Sequence, residues 1–166
     1  MDFYENEVYT QLLKNCCNFI NKRCLDIGTR NGANCVNLVK VGASNVVGID
    51  IDSSRFNEMS CDRKITLLKQ DLLTMDTSIK FDVITCFLWN MNYSQYTNVM
   101  NKIKELLTTN GLVYIGIVDD VYKNDTPSSY SPYSVNILEL LKQHFNNTRI
   151  LDKQCYQWLI EAKNPF

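Results

Sequence analysis

Cys24-Leu25-Asp26-Ile27-Gly28-Thr29-Arg30-Asn31-Gly32 reads as an apolar strand that enters a glycine-bearing turn and leaves it as a helix. The strand carries Asp26 to its carboxyl end. The turn is expected to present backbone N–H groups where the following helix has the positive end of its dipole, and a nucleotide-like ligand suits such a place. Downstream, Asn45-Val46-Val47-Gly48-Ile49-Asp50 forms a second apolar strand that ends in a carboxylate. Its spacing from the first is about that of a ribose-binding acid in a mononucleotide unit of strand, helix and strand.

The dinucleotide fingerprint G-x-G-x-x-G is absent, because Arg30 stands where its second glycine would fall and Gly32 is out of phase with the third. A nicotinamide dinucleotide is therefore disfavoured. An acidic residue, one spacer and then glycines, here Asp26, Gly28 and Gly32, resembles the first motif of the seven-stranded, Rossmann-like class I methyltransferases that depend on S-adenosyl-L-methionine (SAM). The likeness covers nearly the whole chain. It implies SAM as cofactor, with Asp26 and the loop of Gly28, Thr29, Arg30, Asn31 and Gly32 cradling its amino acid end. By the same likeness Asp50 holds the ribose hydroxyls and Ile51 lies against the adenine. Gln70-Asp71-Leu72, after a third strand, resembles the element that receives the adenine amino group on a carboxylate, and Phe87 ends the fourth strand at the same crevice. Arg30 departs from the family's usual glycine and places a side chain close to the cofactor's path.

Length and composition bound the rest. At 166 residues and 45% hydrophobic content, the chain fits one domain, residues 1–166, without room for a separate substrate domain. Seventeen basic residues against 18 acidic ones give a formal net charge of −1, so no overall field draws the protein to nucleic acid or an anionic membrane, although a local basic patch stays open. Seven cysteines without a C-x-x-C pair argue for a reducing, cytoplasmic compartment rather than a disulfide scaffold or a metal site. No run approaches membrane-spanning length.

The fold expected is α/β: a doubly wound, mostly parallel seven-stranded sheet with helices on both faces and a C-terminal antiparallel hairpin strand. Apolar residues from Phe3 to Ile20 recur at helical spacing, so residues 1–22 read as a leading amphipathic helix, packed as a lid or gating substrate through Phe3 and Tyr4. A helix follows from about Ala33 to Val41 and stops at Gly42; Asp52 or Ser53 caps a short helix through Met59. Ile65–Lys69 is strand three, and Leu72–Lys80 is too short for more than a loop with a helical turn. Phe81–Phe87 is a central strand. Ser94 starts a helix that Asn110-Gly111 ends, Leu112–Val118 is strand five, and Ser134 begins the last helix. Arg149–Leu151 and Cys155–Ala162 are strands joined by only Asp152-Lys153-Gln154, a link that permits only an antiparallel hairpin.

Methyl transfer from a sulfonium needs in-line approach of a nucleophile and exclusion of water, with neither metal nor covalent intermediate. Two segments are placed to face the acceptor: Leu88–Tyr93 after strand four, and the long loop Asp119–Tyr133 after strand five. Asn90 and Tyr93 are the catalytic candidates; Tyr4, Trp89, Asn90, Tyr93, Tyr130 and Tyr133 are the candidates for holding an acceptor, against the plainer reading of Trp89 as packing under the next helix. The asparagine-proline-proline-aromatic signature of amine and amide methylation is missing, and so is the Lys-Asp-Lys-Glu tetrad of ribose methylation. The acceptor, whether RNA, protein or small molecule, is not written here. The rival reading is a methyltransferase-like binding or regulatory subunit without turnover, and a protein partner supplying substrate recognition is compatible with either.

Overall fold

The computed structural model describes residues 14–15, 18–56, 62–88, 93–118, 133–154 and 157–165. In chain order the elements are β1 (Arg23–Ile27), α1 (Ala33–Lys40), β2 (Asn45–Asp50), β3 (Ile65–Lys69), a 3-10 turn (Leu72–Thr74) and β4 (Phe81–Leu88). Then follow α2 (Tyr93–Leu106), β5 (Leu107–Val118), α3 (Tyr133–His144), β6 (Phe145–Gln154) and β7 (Gln157–Pro165). The strands form one sheet in the order β3-β2-β1-β4-β5-β7-β6. β3, β2, β1, β4 and β5 pair in parallel, and β7 lies antiparallel between β5 and β6. This is the doubly wound mixed sheet that the sequence predicts.

Side chains alternate across the sheet, and each face recruits its own layer. Leu25, Ile49, Ile84, Ile115 and Ile160 point to one side, where α2 and α3 cover them with Val99, Met100, Ile103, Ile137 and Leu141. Cys24, Val46, Val83, Tyr114 and Leu159 point to the other, against α1 (Ala33, Cys35, Leu38) and Phe19. Full burial of one such aliphatic side chain is worth about 1.5–3 kcal/mol. That outweighs the weak propensity of an eight-residue helix such as α1, which stands by packing because its N-cap, Gly32, has no side chain to cap it.

The α1 face also carries a row of polar residues in register across the sheet: Gly48 beside Asp26, then Thr85, Tyr114, Glu161 and Arg149. At its far end the Tyr114 hydroxyl donates to Glu161 Oε2 at 2.9 Å and Arg149 Nε to Oε1 at 2.7 Å, so the buried carboxylate of Glu161 is satisfied on both oxygens.

Several boundaries differ from expectation. The leading helix was expected to reach Ile20; Lys14 and Asn15 are helical, but residues 18–22 are not, and Ile20 sits in a turn, 62% exposed, while Phe19 is the buried residue. The rest of that predicted helix, including Tyr4, lies outside the described residues, as does the end of the short helix through Met59. α2 ends at Leu106 rather than at Asn110-Gly111. Gly111 is not a left-handed stop; residues 108–111 bulge between the Phe81–Leu107 and Val83–Leu112 pairs, with Gly111 at the close approach to Leu107 and Thr108. The hairpin is antiparallel as expected, but Asp152, Lys153 and Gln154 pair with β7 instead of forming the link. Gly42, with φ of 113°, does stop α1 as predicted. Among the described residues no helix is long and apolar enough to cross a membrane.

Candidate functional site

Sheet order reverses between β1 and β4, and ligands of open parallel sheets sit beyond the carboxyl ends of the strands at such a point. A crevice of about 310 Å³ opens there. Ile27 and Gly28 line it from the end of β1, Ile49, Asp50 and Ile51 from β2, Gln70 to Leu73 after β3, and Gln95 and Val99 from α2. Ile51 is 74% exposed and Leu73 46%, so apolar side chains are held open to water where a flat ligand would cover them. Two carboxylates, Asp50 and Asp71, line the crevice, and among the described residues no Lys, Arg or His does.

The loop between β1 and α1 is bent onto β2. Gly28 N and Thr29 N both donate to Ile49 O, at 2.9 and 3.0 Å, Arg30 N donates to Asp50 Oδ2 at 2.8 Å, and Gly32 N to Thr29 O at 2.9 Å. The expectation of a loop offering these N–H groups to a ligand is corrected: the bend itself uses them. Gly28, Arg30 and Gly32 take φ of 72°, 53° and 84°, so the bend needs three left-handed residues and Arg30 is the one with a side chain in that conformation.

Asp50 also accepts from Asp52 N at 3.0 Å through Oδ1. Each carboxylate oxygen has two acceptor sites, so Asp50 keeps capacity toward the crevice. Asp71 caps the 3-10 turn, its Oδ1 accepting from Leu73 N at 2.9 Å. The Gln70 amide turns back to donate to Thr74 Oγ1 at 2.7 Å and Asp71 O at 3.0 Å, bracing the segment that forms the second wall.

Asp26 is elsewhere. Its side chain is fully buried on the α1 face, and Oδ1 accepts from Thr85 Oγ1 and Asn34 Nδ2, both at 2.7 Å. Burial pushes its carboxyl above the usual carboxylate range, against the pull of those hydrogen bonds. Of the loop, Gly28 alone lines the crevice; Thr29 is buried beside Cys35, Gly32 packs on Leu67, and neither Arg30 nor Asn31 stands in the wall. Phe87, Tyr93 and Tyr133 fall on β4, α2 and α3, whereas Trp89, Asn90 and Tyr130 lie outside the described residues. Ile27, Ile49, Leu73, Gln95 and Val99 in the lining, and Asn34 and Thr85 around Asp26, are the residues that sequence reasoning missed. A polar Thr85 in the apolar run Phe81–Phe87 was the one available signal. His144, at the end of α3, is pushed toward the neutral form by burial and by Lys104.

A family model described as a methyltransferase domain matches residues 4–155. A ribosomal protein L11 methyltransferase from Fusobacterium nucleatum is 29% identical over 132 residues, covering 74% of this chain. The chain spans 41% of that curated relative's length. Among solved structures, an S-adenosylmethionine dependent methyltransferase from Mesorhizobium loti superposes with a TM-score of 0.72 at 15% identity, covering 96% of this chain and 98% of its own. Magnesium protoporphyrin IX methyltransferase from Synechocystis PCC 6803, with bound SAM, gives 0.67 at 16% identity, covering 99% and 85%.

Proposed function

Since the chain belongs to the methyltransferase-domain family, we propose that it binds SAM in the crevice beyond β1 and β2 and transfers the methyl group to an acceptor by in-line displacement. The observation that carries this is the charge of the lining: Asp50 and Asp71, with no Lys, Arg or His among the described residues. A phosphate-bearing dinucleotide meets repulsion there, while a cationic sulfonium compound is attracted. When bound, SAM supplies an electrophilic methyl group. Asp50 accepts from the ribose hydroxyls, Asp71 from the adenine amino group, and Ile51 and Leu73 cover the ring faces and keep water from them. Buried Cys35 and Cys86 outside any disulfide agree with a reducing compartment.

Acceptor recognition is assigned to the segments after β4 and β5, with Trp89, Asn90, Tyr93, Tyr130 and Tyr133 as candidates, alone or with a protein partner. A protein acceptor is tried first, because the curated relative is named for methylating a ribosomal protein. The test is calorimetric titration with SAM and S-adenosylhomocysteine, then transfer of radiolabelled methyl to protein, RNA and small acceptors. Saturable binding of both is expected. Failure to bind either removes the cofactor assignment, and binding without transfer to any acceptor turns the reading toward a non-catalytic subunit.

A further inference from the structure

Beneath the cofactor loop lies a buried polar cluster that ligand contact does not explain. Thr85 Oγ1 and Asn34 Nδ2 converge on Asp26 Oδ1 at 2.7 Å each, Asn34 Nδ2 also donates to Thr85 Oγ1 at 3.2 Å, and the Cys35 thiol faces Asp26 Oδ2 at 3.8 Å. Cys35 Sγ in turn lies 3.2 Å from Thr29 Oγ1. One carboxyl group thereby joins β1, β4, the first turn of α1 and the loop itself. Apolar residues would fill the same space without desolvating a carboxylate, so packing alone does not call for it.

Asn34 sharpens the point. Its amide donors are both engaged inside the cluster, while its Oδ1 is buried without a hydrogen-bond partner. A buried orphan acceptor is unfavourable, so the residue serves through its donors. Thr85 has one hydroxyl proton and two acceptors within reach, Asp26 Oδ1 at 2.7 Å and Leu25 O at 3.4 Å, and the shorter contact wins. Both donors thus fix the Asp26 carboxyl group in rotation.

We propose that Asp26, Asn34 and Thr85 are positioning residues for the cofactor loop. By locking the first turn of α1 to β1 and β4, they hold the loop at its left-handed bend, from which Arg30 N reaches Asp50. The ligand-binding part of this inference rests on the methyltransferase reading; the effect on the loop does not.

Thr85→Val removes the hydroxyl at nearly constant shape, and amide hydrogen exchange of the ligand-free protein reads the result. Exchange at Gly28–Gly32 should quicken about tenfold, the scale of one lost hydrogen bond, with β5 and β7 unchanged. S-adenosylhomocysteine should bind about tenfold more weakly, and Thr85→Ser should restore both. Unchanged loop exchange, an equal rise throughout the sheet, or no restoration by serine overturns the proposal. If Thr85→Val does not fold, Asn34→Leu, which keeps size and removes the donors, is measured the same way. A wild-type protein that fails to bind S-adenosylhomocysteine sinks the methyltransferase reading, and loop exchange still decides this one.

Discussion

The Arg30 N–H and the Asp50 carboxylate meet at 2.8 Å, and this contact closes the loop after β1 onto the end of β2. Asp50 therefore has two tasks, shaping the bend and facing the crevice. Asp50→Ala is expected to weaken SAM binding by about 1.5–3 kcal/mol, the scale of hydrogen bonds to a charged acceptor. Asp50→Asn, which keeps one acceptor for Arg30, should fall between the two. Calorimetry checks this, and an unchanged dissociation constant in a folded Asp50→Ala protein removes the ribose role.

Arg30 sits at φ of 53°, a conformation that disfavours a residue with a Cβ by about 1–2 kcal/mol. Arg30→Gly relieves that strain, and the greater freedom of glycine in the unfolded chain offsets about 0.5–1 kcal/mol of it. A net gain of about 0.5–1 kcal/mol in urea unfolding is expected. Destabilisation would mean that the side chain's contacts outweigh the strain. SAM affinity of the same variant reports on obstruction: a rise supports it, and a fall means that the arginine assists binding.

The sequence made the parallel half of the sheet readable because β1, β2 and β4 are near-continuous apolar runs that fit only strands covered on both faces. Where a signal was local and ambiguous, tertiary packing decided. Asn110-Gly111 has the chemistry of a helix stop, yet the demands of β5 pairing turned it into a bulge. Phe19 and Ile20 are equally apolar, and it is Phe19 that packs into the α1-side core, 6.1 Å ring to ring from Tyr114. Asp26 was recognisable as belonging to the motif, but its partners were not. Asn34 joins it when α1 packs back on the sheet, and Thr85, distant in sequence, only when β4 pairs with β1.

Gly48 is the register partner of Asp26 on β2, and the same cluster explains why no side chain stands there. A Cβ at this position would fall 2.7 Å from Cys35 Sγ and 2.8 Å from both Leu67 Cδ2 and Thr29 Oγ1. Leu67 has a flexible end, but the thiol and hydroxyl cannot retreat without breaking their mutual contact. Gly48→Ala should therefore destabilise by about 1–3 kcal/mol, as overpacking does. Cys35→Ala in the same chain should recover part of the loss. Strict additivity in a double-mutant cycle by thermal unfolding would show that the thiol is not the obstruction.

The buried Asp26 carboxyl also sets a pH dependence whose sign is opposite to that of the exposed acids. Its neutral form is favoured in the folded protein, so above the unfolded value of 3.8 the native state holds a proton that the unfolded chain has released. Stability from this group falls as pH rises from there through the raised folded value. The other titratable groups that face it are the thiols of Cys35 from α1 and Cys86 from β4, both pushed upward by burial and by the Asp26 charge, so they remain neutral through the window. Asp52 and Asp76 act the other way, since hydrogen bonds from Ser54 and Ser78 hold them below the usual carboxylate range and their stabilisation is lost as pH falls. Asp26→Asn isolates the buried group, because the exposed acids are common to both proteins and cancel in the difference. Urea unfolding across pH should show the variant gaining on the wild type above pH 3.8 and levelling off once Asp26 has ionised in the folded protein. A difference that stays flat with pH, or a wild type that gains on the variant as pH rises, would mean that burial does not raise the Asp26 carboxyl in the folded protein.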